Sequence, residues 1–366
     1  MAVKPKRWAK TTELVSVVFE LEPQDFCSLY PQYAIGLHAW FLDQVRQSNP
    51  DLSAYLHDGG SEKAFTISRL MGLDLGRRGM MQLEPGQRYG WQVTALSRQV
   101  VQWLEEWLAS APEVIALRGA PLNIVGWELA EKGTTYSALW RQAGKLSQQQ
   151  SIPGLTLSFV SPTSFRRKKQ HFPLPLPTNV LQSYLRRWND FSGKVYESDT
   201  FLEWVDEAVV IRRHRIESCK VAGGKRGFVT GFMGAVEFGL TNRAVEQSEY
   251  VQLFLALGKL APYCGTGHKT TFGLGQTVAG WHDDDVDVEP LQAVLAGRIE
   301  ELTVLFEGQR QRRGGTRAQH VAETWATILA RRELGESLMG IAEDLGMRYE
   351  TVKTYAKLAR QAVKGA

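Results

Sequence analysis

The period of the apolar residues changes in a fixed order along this chain, and that order limits the fold more than composition does. Residues 14–21, with Leu14, Val15, Val17, Val18, Phe19 and Leu21, form an apolar, β-branched run that predicts a buried strand. Residues 32–47 place Ile35, Leu37, Phe41, Leu42 and Val45 at helical spacing, and Asn49-Pro50 reads as the stop, followed by a short turn that holds His57. Strands are predicted at 64–68 and 88–94, an amphipathic helix at 96–109 and a last strand at 122–127. From residue 155 the sequence repeats the order: a strand at 155–160, a helix at 179–191, strands at 208–216 and 228–240, a helix at 247–260 and a strand at 275–281.

Strand–helix–strand–strand–helix–strand is the ferredoxin-like pattern. Met twice, it predicts an α+β chain of tandem ferredoxin-like (RRM-like) domains, spanning 1–150 and 151–282. Asp283 to Glu289 carries five acids in seven residues, which repel one another and predict an exposed linker. Residues 291–366 form a helical tail. Within it, Leu338–Leu345, a Leu-Gly-Met turn at Gly346 and a basic second helix with Arg348, Lys353, Lys357 and Arg360 predict a helix-turn-helix extension.

Cys27, Cys219 and Cys264 are too few and too scattered for a disulfide framework or a CxxC metal site, so neither metal nor cofactor is expected. No apolar run approaches the ~20 residues that span a bilayer, and a cytoplasmic protein with no membrane partner is expected. The 43 basic and 39 acidic residues leave a net charge of only +4, so the case for a polyanionic partner rests on local clusters. One cluster is Arg166-Arg167-Lys168-Lys169. The other runs from Arg212 to Arg226, where Arg213 and Arg215 alternate on one strand and are expected to share a face.

The most specific local signal runs from Gly265 to Gly275. Gly265 and Gly267 form one G-x-G pair, Gly273 and Gly275 another, and His268 and Lys269 lie between. Glycines let backbone N–H groups approach an anion, and the lysine adds a point charge. The same spacing also suits a tight structural loop between helix and strand. It is neither a Walker loop nor a dinucleotide fingerprint, because the Gly-Lys-Ser/Thr ending and the following helix are missing.

This loop, near the end of a tandem ferredoxin-like chain, resembles the signature loop of the CRISPR-associated repeat-RNA endoribonucleases of the RAMP superfamily. The stretch 48–58 followed by Lys63-Ala64-Phe65-Thr66-Ile67-Ser68 resembles the family's N-terminal active-site segment. Residues 159–166, Pro175–Pro177 and Arg187-Trp188-Asn189 resemble its middle segment. The likeness covers about residues 12–281 and leaves the helical tail outside.

The resemblance implies cleavage of CRISPR precursor RNA within the repeat, without metal. The 2′-hydroxyl attacks the adjacent phosphate and leaves a 2′,3′-cyclic phosphate and a 5′-hydroxyl. His57 matches the family's catalytic histidine and Lys63 its lysine, a charge stabiliser. Where some members carry a tyrosine on the first helix, this chain has Leu42. His38 lies one turn earlier on the same face and is either a packed histidine or the missing acid or base. Gly265, Gly267, His268, Lys269, Gly273, Gly275, Arg166, Arg167, Lys168, Lys169, Arg213 and Arg215 are the expected RNA-binding residues. The implied partners are repeat RNA and mature guide RNA, subunits of a CRISPR interference complex, and a second copy of the chain. Two rival readings are a noncatalytic RNA-binding subunit of such a complex and a DNA-binding regulator acting through the helix-turn-helix.

Overall fold

The computed structural model describes residues 8–364 apart from 58–61, 74–80, 150–151, 169, 224–225, 283–289 and 310–315; the acidic linker, Lys169 and Lys225 therefore lie outside the described residues. In the first half, β1 (Leu14–Pro23) is followed by the short β2 (Cys27–Ser28), helices α1 (Tyr33–Ser48) and α2 (Pro50–His57), and β3 (Phe65–Met71). Then come the short β4 (Gln82–Leu83), β5 (Tyr89–Ala95), α3 (Arg98–Leu108) and the hairpin of β6 (Val114–Leu117) and β7 (Ala120–Thr134). Helix α4 (Tyr136–Ser147) leads to the second half. That half holds β8 (Leu155–Thr163), the hairpin of β9 (Phe165–Arg167) and β10 (Gln170–Phe172), helices α5 (Pro177–Phe191) and α6 (Ser198–Ala208), β11 (Val209–Ala222), β12 (Phe228–Leu240), α7 (Ser248–Cys264) and β13 (Thr277–Ala279).

The first sheet has the order β3-β5-β1-β7-β6 and the second β11-β12-β8-β13, with antiparallel neighbours throughout. Counting the principal strands of each half, both read second–third–first–fourth, the ferredoxin-like arrangement expected from element order. Alternation explains the central strand: Val15, Val17, Phe19 and Leu21 are wholly buried on one face of β1, against α1 and α3. Phe41 of α1 meets Trp103 of α3 edge-on at 5.5 Å.

One boundary differs from expectation in a way that matters for the site. Pro50 does not end helical structure but begins α2, because proline suits the first turn of a helix, and Asn49 Oδ1 accepts from the Leu52 N–H at 3.0 Å as its cap. His57 therefore sits at a helix end, not in a turn.

The tail consists of α8 (Pro290–Gly308), α9 (Thr316–Glu333), α10 (Leu338–Leu345) and α11 (Tyr349–Lys364). Gly346, at φ 64°, closes α10 as a left-handed C-cap, and α11 follows as the second helix of the helix-turn-helix. The tail is docked on the core. Leu295, Ile299, Leu302 and Phe306 share a buried cluster with Ala222 of β11. The side chain of Gln292 accepts from the Ala222 N–H at 3.2 Å, and that of Thr327 from the Gly227 N–H at 3.0 Å. At the other end of the tail, Arg118 in the β6–β7 turn pairs with Glu336 at 3.1 Å and Asp344 at 3.6 Å.

Candidate active site

His38 and His57 line one groove on the first half. Leu42 and Arg46 of α1, Tyr30 and Arg118 line it with them, and Glu343 and Asp344 of α10 form the wall on the tail side. Its volume of about 590 Å³ lies within the ~300–1,000 Å³ range of ligand sites. Lys63, half-buried just ahead of β3, does not line it.

The two histidines are held differently. His57 is exposed at the end of α2. His38 is half-buried; its Nδ1 donates to the Thr271 carbonyl oxygen at 2.8 Å, and its ring stacks on Phe272 with centroids 4.1 Å apart. A carbonyl oxygen can only accept, so Nδ1 carries a hydrogen, and in the neutral form of the ring the basic lone pair lies on Nε2. One contact thus fixes both the ring's orientation and its tautomer.

Thr271 and Phe272 belong to the glycine-rich loop of the second half, whose glycines answer the question that the sequence left open. Gly267 has φ +80°, and a Cβ there would lie 2.2 Å from the Ser164 carbonyl oxygen; at Gly275, φ +71°, it would lie 2.0 Å from the Thr266 carbonyl oxygen. At Gly265 the obstacle is the Gly275 carbonyl oxygen, at 2.7 Å, and at Gly273 it is the Arg69 side chain and backbone, at 2.6 and 2.9 Å. What the missing side chains of these four glycines admit is the protein's own backbone and Arg69, the packing that a tight structural loop requires. Buried Arg187 reinforces the clamp, donating to the Gly267 carbonyl at 3.1 Å and to Thr270 Oγ1 at 3.3 Å. The Ser183 hydroxyl accepts from the Gly267 N–H at 2.8 Å.

His268 and Lys269 point away from the groove. His268 Nδ1 donates to the Ser164 carbonyl at 2.8 Å, and its ring stacks on His171 at 5.4 Å. Burial is the main cause that lowers both rings to about 4; nearby cations add to it, and for His268 the hydrogen bond to Ser164 opposes it. Burial also lowers Lys269 to about 8, and its ammonium bonds the Gly223 carbonyl. Lys269, His171, Arg166 and Arg226 line a cleft of about 760 Å³ whose opposite wall, from α8 and α9, carries Glu300, Glu307, His320 and Glu323. The tail's carboxylates thus face part of the expected basic surface.

The other basic residues stay at the surface. Arg166, Arg167 and Lys168 are exposed on the β9–β10 hairpin, with Arg167 over the Phe172 ring at 5.6 Å. Arg213 and Arg215 are both exposed on β11, an edge strand, and Arg213 lies 3.8 Å over the Trp281 ring. Sequence reasoning missed Tyr30 and Arg118. The guanidinium of Arg118 lies 4.2 Å over the Tyr30 ring, and the phenol is pushed well above its usual range by burial. The Arg118-Gly119 turn of the β6–β7 hairpin was the available signal, and both of its strands had to be recognised to read it.

Two family models match: the CRISPR Cas6 N-terminal domain over residues 14–111, and the CRISPR-associated endoribonuclease Cas6 over 157–277. Among solved structures, a product complex of a Thermus thermophilus Cas6 is 23% identical, with TM-score 0.59, covering 74% of this chain and all of that one. A second Cas6 product complex is 26% identical, with TM-score 0.55, covering 73% of this chain and 99% of the other. The same second protein bound to a substrate mimic is 24% identical, with TM-score 0.54, covering 74% and 100% of the two chains. No curated protein matches.

Proposed function

Since the chain belongs to the Cas6 family of CRISPR-associated endoribonucleases, which process CRISPR repeat RNA by cleaving it, we propose that it cuts within the repeat by in-line attack of the 2′-hydroxyl, with His38 as the general base. His38 Nε2 takes the hydroxyl proton as the oxygen attacks the adjacent phosphorus. The bond to the 5′-oxygen breaks, and His57, which lines the same groove, gives a proton to that oxygen. The products are a 2′,3′-cyclic phosphate and a 5′-hydroxyl.

The observation that carries this reading is the Nδ1 bond to Thr271, which leaves Nε2 as the basic atom of an oriented ring. His57 takes the second role because it lines the same groove on another helix. The cation for the phosphorane charge is Arg46, which lines the groove two turns along α1 from His38, rather than Lys63, which does not. The two product complexes and the substrate-mimic complex of Cas6 relatives support RNA as the ligand of this fold. The chemistry is assigned to the imidazole of His38, whose ring orientation is set by the Thr271 carbonyl.

The test is single-turnover cleavage of repeat RNA in excess EDTA with analysis of the ends. His38→Ala should lower the rate by ~10²-fold or more, a typical general acid–base contribution. A 2′-deoxy residue at the scissile position should block cleavage. A near-normal rate for His38→Ala with loss in His57→Ala would make His57 the base.

A further inference from the structure

The match to Cas6 ends before the tail: the second family model stops at residue 277, and the solved Cas6 chains are spanned almost completely by about three-quarters of this one. The tail nevertheless reaches the histidine groove through Glu343 and Asp344 of α10. Asp344 is neutralised there, since both Arg331 and Arg118 pair with it. Arg118 comes this close because α10 has Gly340 beneath it, where a Cβ would lie 2.0 Å from its Nη1.

A second groove begins at the opposite end of α10. Leu338 forms its floor, and Lys353, Lys357, Arg360, Gln361 and Lys364 of α11 line it with no acid among them. The four cations are exposed, while Val352, Ala356 and Ala359 are buried on the other side of the helix. Glu350 approaches Lys353 at 3.5 Å, and both are largely exposed, an arrangement that costs little to open. At 1.5 Å per residue the cation row extends ~16 Å, and Leu338 at the second groove lies ~8 Å along α10 from Glu343 and Asp344 at the histidine groove.

We propose that this groove is an RNA-backbone site, in which α11 holds the strand that flanks the scissile phosphate after it passes over α10. The inference rests on the histidine groove being the place of cleavage. Charge complementarity selects a polyanion. The shared border on α10 with the histidine groove favours flanking RNA over duplex DNA, the usual occupant of a helix-turn-helix. Each phosphate neutralised on a single strand releases counterions and adds ~0.7 to the salt slope of binding.

The experiment uses the full chain with Lys353, Lys357, Arg360 and Lys364 all changed to Gln. Its probes are the repeat RNA alone, the repeat extended on the 5′ side, the repeat extended on the 3′ side, and duplex DNA of matched length. For one of the extended RNAs, affinity should fall ~10-fold or more and the log–log salt slope should flatten by ~2–3. The repeat alone should lose less. A companion variant, with Arg in place of the three lysines, should retain wild-type affinity, which separates charge from fold. Equal loss for extended and unextended RNA, an unchanged slope, or a loss confined to duplex DNA would each overturn the proposal. Cleavage of the repeat by the wild-type chain and by His38→Ala, measured alongside, reports on the histidine groove separately: loss of rate in His38→Ala with no binding difference would overturn this site alone, whereas an unchanged rate in His38→Ala would overturn the reading on which it rests.

Discussion

The carbonyl oxygen of Thr271 accepts the Nδ1 proton of His38 at 2.8 Å, joining residues 233 positions apart in the chain. Helix α1 of one ferredoxin-like half therefore depends on the glycine-rich loop of the other for the orientation of its histidine. Phe272 adds the stacking surface. Phe272→Ala should leave the hydrogen bond available but loosen the ring. The expected outcome is a single-turnover rate lower by ~10-fold, within the range that misplacement of a catalytic group produces, with RNA affinity little changed. A parallel fall in affinity would mean that Phe272 contacts RNA itself.

Gly267→Ala tests the clamp beneath that contact. The substitution meets a left-handed backbone and a carbonyl oxygen 2.2 Å from the new carbon. Strain of this kind costs ~1–3 kcal/mol even without the clash, so the melting temperature should drop. The rate should fall further than in Phe272→Ala, because Thr271 moves with the loop. Unchanged melting and an unchanged rate would show that the loop yields without cost.

How far the sequence could be read depends on whether a signal was local. The order of strands and helices was legible because Val15, Val17, Phe19 and Leu21 alternate and because Val100, Trp103, Leu104 and Trp107 share a helical face. Helix α2 was not, since a proline that ends one helix is the same residue that begins the next. The hairpin β9–β10 and helices α4 and α6 fell outside the six-element template. The glycines marked the right loop, but four positive-φ positions say nothing about which backbone comes close; only the fold brings Ser164, Thr266 and Arg69 there. His38 and His57 were both found, whereas the partner that distinguishes them lies in the other half.

The stacked pair His171 and His268 makes stability depend on pH. Both are lowered from 6.5 to about 4 in the folded chain, chiefly by burial. Between about 4 and 6.5 the unfolded chain binds protons that the folded chain does not, so stability is full above pH 6.5 and declines as pH falls through that window. Urea melts at pH 7 and pH 5 should show the decline, and the double variant His171→Asn with His268→Asn should flatten it. An equal decline in the double variant would assign the effect to other groups.

Arg331 is wholly buried and pairs with Glu336 and Asp344. Arg331→Met should destabilise the tail by ~3–5 kcal/mol, the cost of leaving buried charge without its partner. Loss of helical signal at a temperature where the core still melts normally would be the readout. A variant as stable as wild type would mean that Arg118 suffices for both carboxylates.

Deleting residues 290–366 should leave a folded protein of lower melting temperature. The two large core clusters contain no tail residue, while the tail's own cluster includes Ala222 and leans on Phe228 of the β11–β12 hairpin. Circular dichroism and thermal melting of the truncated chain check this. A truncated chain without cooperative melting would make the tail part of the core's folding unit.

The Thr271–His38 contact also bears on how the chain can be divided. The two halves share one topology, but one carries the imidazole and the other the carbonyl that orients it. A change in the loop between Gly265 and Gly275 therefore reaches a side chain on α1 that it does not adjoin in sequence. A half expressed alone would keep its own sheet and lose that contact.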